Sequence, residues 1–592
     1  MGHKVFLGVV LLLCLVSLAV PTGCRSAYAQ GSYPRIGHVR LDELPEAPRS
    51  RIASVIEGHA DPIARGQALW HTAEQFERQD TFRAALVAYQ EASATGALPA
   101  QSVRRSIRRC RARLAVDSRW ADADLRRTAT AMDASRGLGL FREIVRTVAG
   151  NYVDDIPYGQ LLEAGLDNLQ AAVTSPVVAR QLGLSDAVHK RATFLSALGT
   201  IRRELREEKR MSSFVARYYV RRACEENRQT LGLPDGVVIS EFIFGAAEHL
   251  DAYSIYLTRD MYTALKEDLT GSFVGLGIEV RSQANRLLIV NVFDGGPASS
   301  SGLHAGDVIT GVDGADIAGA GLDRIVKLLR GKKGTTVKVT VKRGENAMSF
   351  AVTRDTIEVP SVRHAVRLGD DDAFAYIQVS NFQRTTGAEV SRALDVLEKQ
   401  ARLRGVILDL RGNPGGLVDA AVQVSSLFLD SGAVVTTKGR GFGQTRTYRV
   451  SHWRYDYHDH ALVVLMDNGS ASASEIVAAA MKDHKRATLV GQRSYGKGIV
   501  QSILPVEAGQ SAVYLTTARF VGPAGTSFHG VGLTPDVVVP TPQSPRIRTG
   551  QPCPQADAAL AKALEILAVK TAQPVARRTR PTGELAARLT SQ

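Results

Sequence analysis

Apolar residues fall into two regimes along this chain. From Asp61 to about Ala115 they recur at helical spacing: Ala68, Leu69, Ala73 and Phe76, then Ala84, Ala85, Ala88, Tyr89 and Ala92, with a break near Gln79-Asp80. That pattern predicts a pair of packed helices. Residues 171–235 hold Arg- and Glu-rich helical sequence. Residues 30–58 hold prolines and little periodicity, and are expected to be an extended lead-in. Beyond residue 268 the apolar positions form short runs. Leu287–Phe293 and Val337–Val341 are strand-like. From residue 358 strand runs alternate with helical ones: Ala373–Ser380, a helix from about Gly387, Val406–Leu410, a helix from about Val418, Ala461–Met466, and a helix from about Ser474. Such alternation predicts an α/β sheet layered with helices. After Pro540 come a Pro-rich linker, a short amphipathic helix near Asp557–Val569, and a basic tail expected to be disordered.

At 592 residues the chain has room for three or more domains. His3 and Lys4, the apolar run Val5–Val20, and Ala27-Tyr28-Ala29 read as a secretory signal cut after Ala29. Two other outcomes stay open. Lipidation at Cys24 lacks the usual aliphatic residue three positions before the cysteine, and the apolar run is near the shorter limit of an uncleaved anchor. The expected location is the periplasm or cell envelope, with membrane association as the variant. Cys110, Cys224 and Cys553 remain after such a cut, an odd and widely spaced set that does not read as a disulfide scaffold. The cut removes Lys4 and Arg25 and no acid, taking the formal charge from +14 to +12. Much of the excess lies in Arg104-Arg105, Arg108-Arg109, Arg111, Arg113, Arg202-Arg203, Arg206 and Arg221-Arg222. Solvated helix faces are the simplest reading of it. An exported chain with no reading motif gives no ground for nucleic acid as a partner.

The candidate chemistry sits in Asn468-Gly469-Ser470-Ala471-Ser472-Ala473-Ser474-Glu475-Ile476 and in Gly496-Lys497-Gly498-Ile499-Val500-Gln501. Ser472 precedes a good helix former, so it lies at a helix N-terminus, where unpaired N–H groups and partial positive charge suit a developing oxyanion. A lysine can serve as base only when neutral, which requires its reference pKa of about 10.4 to be pulled towards roughly 7–8. Glycines beside Lys497 permit a tight approach, and Gln501 offers a carbonyl acceptor for the amine. The logic is that of a triad with lysine in the histidine role. Competing readings exist for each fragment: a flexible Ser-Ala linker, a Ser472–Glu475 capping box, a Gly-Lys-Gly turn. Spacing alone does not choose between Ser470, Ser472 and Ser474, and His484 and His529 are the alternative bases. There is no His-Glu-x-x-His, Cys-x-x-Cys or P-loop, so neither a metal nor a cofactor is expected.

Together these motifs resemble the carboxyl-terminal processing peptidases, or tail-specific proteases, which are Ser-Lys enzymes carrying a PDZ domain. The resemblance rests on Leu250-Asp251-Ala252-Tyr253-Ser254-Ile255-Tyr256-Leu257, with Ala252 where proline is usual, and on Leu408-Asp409-Leu410-Arg411-Gly412-Asn413-Pro414-Gly415-Gly416-Leu417. It also rests on the serine and lysine segments and on Gly530-Val531-Gly532-Leu533-Thr534-Pro535-Asp536. It runs from about Phe141 to Pro540, with 171–235 as an insertion. It implies Ser472 as nucleophile, Lys497 as general base, Gln501 as the residue orienting the lysine, and an oxyanion hole from the N–H of Ala473 and of Gly415 or Gly416. It also implies that Gly275-Leu276-Gly277-Ile278 holds a peptide's terminal carboxylate while the peptide adds as an edge strand. Without the family, those glycines could equally mark a bulge.

The expectation is therefore a multidomain α/β plus α chain: a helical N-terminal region, a PDZ domain and a crotonase/Clp-protease-like α/β catalytic core. The segments are a signal peptide at 1–29, a helical region at 30–135 with one tetratricopeptide-like hairpin, and a helical part of the protease at 136–267. The PDZ domain follows at 268–356, the peptidase core at 357–541, and a linker, short helix and tail at 542–592. One helix pair falls short of the three or so repeats that bury a solenoid core. The expected function is an exported endopeptidase that cleaves proteins with apolar C-termini near those termini. An envelope activator or adaptor protein and a homo-oligomer are the further partners considered. The rival is a non-catalytic PDZ and helical adaptor.

Overall fold

The computed structural model describes residue 39, residues 41–540 and residues 554–572, except 185, 284–285, 319–321, 442 and 452–456. The expected signal peptide, the Pro-rich linker, Cys553 and the basic tail lie outside the described residues. Two compact units emerge. One comprises the chain through Val359 with 439–445 and 500–518; the other comprises 360–438, 446–499 and 519 onward.

The first unit opens with helices. Glu46–Gly58 is helical, contrary to the extended lead-in expected from its prolines. Pro48 sits in the first turn, where a missing N–H costs nothing, and Ile52 is fully buried. The predicted pair appears as Pro62–Arg78 and Phe82–Ala94, turned at Asp80 with a φ of 53°. Their alanine-rich faces close on each other around Leu69, Phe76, Leu86 and Tyr89. A fourth helix, Ala100–Ala121, packs on Phe82–Ala94. Its arginines are not all solvated. Arg113 pairs with Asp80 and Asp117, and Arg119, only 3% exposed, meets Glu241 at 2.6 Å and Glu248 at 2.5 Å. The Trp120 indole donates to the same Glu241 at 2.8 Å. In the insertion, Arg202 and Arg206 both pair with Glu163. Part of the basic excess therefore ties helices together.

The PDZ portion is an antiparallel sheet in the order Ile278–Gln283, Arg286–Val292, Val308–Val312, Thr336–Arg343, Asn346–Thr353, with Ala315–Asp316 added to the third strand. Alternate residues (Ile289, Val337, Val339, Val341) fill its core. Ser272–Gly275 and Asp355–Glu358 pair antiparallel where the chain enters and leaves the sheet.

The second unit is built on a six-stranded sheet. Val362–Leu368 runs antiparallel to Phe374–Val379; Gly405–Asp409, Ala461–Met466, Thr488–Gly491 and Val537–Val538 then follow in parallel. The helices Thr386–Gln400, Val418–Ser426 and Ala473–Asp483 come between its strands in sequence. Central strands of a parallel sheet need cover on both faces. The residues Phe374, Tyr376, Ile407, Val463, Leu465 and Val490 pack under the C-terminal helix Ala558–Ala572 through Ala559, Leu560, Ala563 and Leu567. The helix that the sequence reading set apart as a short appendage is thus a layer of this core.

Arg119→Met leaves the Glu241 and Glu248 carboxylates without their buried cation. It should cost the helical region about 3–5 kcal/mol in urea unfolding followed by circular dichroism. A loss below about 1 kcal/mol would show that the cluster is not load-sharing at all.

Candidate active site

The parallel strand Ala461–Met466 delivers the chain into Asp467-Asn468-Gly469-Ser470-Ala471-Ser472 and then directly into the helix Ala473–Asp483. Asp467 fixes this bend by accepting from the N–H of Gly469 at 2.9 Å and of Gly412 at 2.8 Å. The structure separates the three serines that spacing left equivalent. Ser470 is buried and donates to the Leu410 carbonyl at 2.8 Å; Ser474 is buried and donates to the Asn413 carbonyl at 2.9 Å. Among the described residues the half-buried Ser472 hydroxyl is donated to no carbonyl. Ser472 also has φ 55° and ψ −111°, a conformation that favours glycine. Two serines hold the bend, and the third is turned out at the helix N-terminus.

Glu475, in the first turn of that helix, is fully buried and accepts four hydrogen bonds. Its Oε2 takes the N–H of Ser472 at 2.9 Å and of Lys497 at 2.8 Å; its Oε1 takes the N–H of Gly496 at 2.7 Å and the Ser494 hydroxyl. Burial drives its pKa above the usual carboxylate range, against the downward pull of Ser494 and the three backbone donors. The Ser472–Glu475 capping box is therefore present, and the same carboxylate anchors the lysine segment. The Tyr495 N–H adds a bond to the Ser470 carbonyl at 3.0 Å. The structure thus brings the serine and lysine segments together. The sequence reading saw Glu475 only as a helix cap; its distance from Lys497 along the chain hid the second role.

The glycines flanking Lys497 answer to close packing. A Cβ on Gly496, at φ 89°, would lie 2.8 Å from the Gly532 nitrogen, and one on Gly498 would lie 2.6 Å from the His529 nitrogen. The 528–532 turn therefore presses on the half-buried lysine's backbone from one side.

On the other side of Ser472 lies the turn after Gly405–Asp409. Gly415, at φ 103°, comes so close that a Cβ would sit 2.7 Å from the Ser472 Cβ and 2.9 Å from the Ala473 nitrogen. The Gly415 N–H is spent on Asn413 Oδ1 at 2.9 Å, whereas no acceptor is assigned to the Gly416 N–H among the described residues. Gly416, at φ 145°, is pressed against the Phe382 carbonyl, as its neighbours bond Phe382: Phe382 N–H to Gly415 O, and Leu417 N–H to Phe382 O, each at 2.8 Å.

His484 caps the far end of the helix Ala473–Asp483, about 18 Å along its axis from Ser472, and its ring bonds the Ala433 carbonyl at 2.8 Å. That removes it as the base. His529 lies in the exposed turn against Gly498.

In the first unit, Gln501 stands on the strand Ile499–Val506 and donates its amide to the Tyr253 carbonyl at 2.7 Å. Tyr253 belongs to a turn made by Asp251, which accepts from the N–H of Tyr253 at 2.7 Å and of Ser254 at 2.6 Å. Ile255–Leu257 then pairs antiparallel with Ala512–Tyr514. Ala252 in place of proline has not cost this turn its hydrogen bonds.

In the PDZ portion, Gly277 takes φ 76° between Gly275, paired with Asp355, and Ile278, which opens the terminal strand of the sheet. The carbonyls of Leu276 and Gly277 are held by the N–H of Ala298 and Phe293, at 2.8 and 2.9 Å. The bulge that the glycines could have signalled occurs just beyond them, between Glu279 and Val280.

Two segments of the chain match known families. Residues 373–539 match the model for peptidase family S41, and residues 274–353 match that for a PDZ domain. The chain is 38% identical over 321 residues to a carboxy-terminal-processing protease of Bartonella bacilliformis, covering 53% of this chain and 72% of that one. It is 36% identical over 294 residues to a CtpA-like serine protease of Staphylococcus haemolyticus, covering 50% of this chain but only 58% of the relative. Among solved structures, a photosystem II D1 C-terminal processing protease matches at 26% identity, 68% of this chain and 93% of that one, with a TM-score of 0.35.

Two substitutions test the local physics. Glu475→Gln replaces an acceptor oxygen with an amide that faces N–H donors, and should cost about 1–3 kcal/mol in thermal unfolding. Ser472→Gly should be more stable than Ser472→Ala by about 1 kcal/mol or more, because only glycine relieves the backbone; equal melting temperatures would refute the strain.

Proposed function

This chain belongs to peptidase family S41, and on that premise we propose that it is an exported Ser-Lys endopeptidase that cleaves proteins near their C-termini. The observation that carries the reading is the contrast among three serines: Ser470 and Ser474 are tied to carbonyls, while Ser472 is turned out in a strained conformation on a helix N-terminus that Glu475 links to the lysine segment.

In the proposed reaction the neutral Lys497 amine takes the Ser472 hydroxyl proton as Oγ attacks the scissile carbonyl. The resulting oxyanion is received by the N–H of Ala473 and of a glycine in the pair. The hydrogen bonding favours Gly416, because the Gly415 N–H is already engaged by Asn413. Lys497 then returns the proton to the leaving amine, and the acyl-enzyme is hydrolysed by water activated the same way. Gln501 takes the role of holding the amine; its amide N–H bond to Tyr253 leaves the carbonyl oxygen as the acceptor. Substrate delivery falls to the PDZ domain. Its terminal strand Ile278–Gln283 leaves an edge for a peptide strand, and the turn at Gly277 suits a terminal carboxylate beside an apolar side chain.

The test is mass spectrometry of an unstructured substrate with an apolar C-terminus, incubated with the mature chain. C-terminal fragments should be released by wild type, and release should fall about 10³-fold or more in Ser472→Ala and Lys497→Ala. Activity should also fall as the pH is lowered, because a protonated amine takes no proton. Cleavage that survives Ser472→Ala would overturn the assignment of the nucleophile. A wild type that binds such tails and cuts none would favour the adaptor instead.

A further inference from the structure

The turn that carries Gly415 and Gly416 has a second anchor outside the serine and lysine segments. It begins at Asp409, the last residue of a central strand and fully buried. The Asp409 carboxylate accepts from the Tyr376 hydroxyl at 2.7 Å, from the Arg411 N–H at 2.9 Å, and from the Arg411 guanidinium through Nε at 3.0 Å and Nη2 at 2.6 Å. One edge of the guanidinium is thereby used. Its other edge meets Asp557, with Nη1 to Oδ1 at 2.9 Å and Nη2 to Oδ2 at 2.8 Å. Asp557 is also the head of the C-terminal helix: its Oδ1 accepts from the Leu560 N–H at 3.1 Å and its carbonyl from the Ala561 N–H at 2.9 Å. A planar fork between two carboxylates has its orientation fixed twice over. Burial works to raise Asp557, but Arg411 and the helix N–H groups outweigh it and hold its pKa down, so the carboxylate stays charged in its place. The residues after Arg411 are fixed in turn by Asp467 and by Asn413, whose amide donates to Val379 and accepts from Gly415.

We propose that Asp557 is a positioning residue for the peptidase reaction: it clamps Arg411 from the C-terminal helix and so fixes the Arg411–Gly416 turn that supplies a glycine N–H to the oxyanion. This rests on the peptidase reading above. The C-terminal helix is then part of the catalytic apparatus, acting through a single ion pair, besides covering the sheet.

The experiment uses the full mature chain as wild type, Asp557→Asn and Asp557→Glu, with steady-state kinetics on one peptide substrate and hydrogen–deuterium exchange read by mass spectrometry. In Asp557→Asn, amides of 410–417 should exchange about ten-fold faster while those of Ala461–Met466 and Ala558–Ala572 keep wild-type protection; kcat should fall about 10–100-fold with KM within about two-fold. Asp557→Glu, which keeps the charge, should recover kcat to within about three-fold of wild type. Unchanged exchange at 410–417 would overturn the proposal. So would exchange that rises equally in the turn, the strand and the C-terminal helix, since that marks a merely structural loss. A wild type that cleaves nothing would sink the peptidase reading by itself, while the exchange comparison would still decide whether Asp557 holds the turn.

Discussion

The buried carboxylate of Glu475 is the constraint on which the rest of the candidate site depends. Four donors converge on it from two segments far apart in sequence: Ser472 on one side, and Ser494, Gly496 and Lys497 on the other. A charged group with no exposure is costly unless its acceptors are filled, and here they are filled by groups that also define where the serine and the lysine stand. The bend before the helix and the loop before Lys497 cannot shift independently without leaving a buried acceptor or donor bare.

The same economy runs through the neighbouring turn. Glycine is required at 415 because a Cβ there would run into the Ala471 carbonyl, the Ser472 Cβ and the Ala473 nitrogen, and at 416 because one would run into the Phe382 carbonyl. Asn413 bridges the turn to the sheet, and the guanidinium of Arg411 bridges it to the C-terminal helix. The oxyanion donors we propose are therefore backbone groups held by side chains, which suits a reaction in which charge appears only transiently.

The two units carry different tasks. In the first, helices are joined through ion pairs as much as through apolar faces, and the PDZ sheet ends on the strand Ile278–Gln283. In the second, a parallel sheet is covered by helices that include the one at Ala558–Ala572.

The sequence by itself determined the types of the elements read from its apolar pattern beyond residue 61, because periodicity of apolar positions follows directly from the 3.6- and 2-residue repeats of helix and strand. It also pointed to the serine and lysine segments, through motifs and a spacing that resemble those of the carboxyl-terminal processing peptidases. It misread Glu46–Gly58 as extended because prolines suggest a break, whereas Pro48 falls in a first turn that tolerates it. Only the tertiary structure decided which of three serines is turned out, since that depends on whether a carbonyl of the distant turn after Gly405–Asp409, that of Leu410 or Asn413, is there to receive each hydroxyl. It likewise decided which glycine N–H is already taken, that Glu475 serves two segments, and that the C-terminal helix belongs to the core. Each of these is a contact between residues remote in sequence, and local pattern carries no record of such pairings.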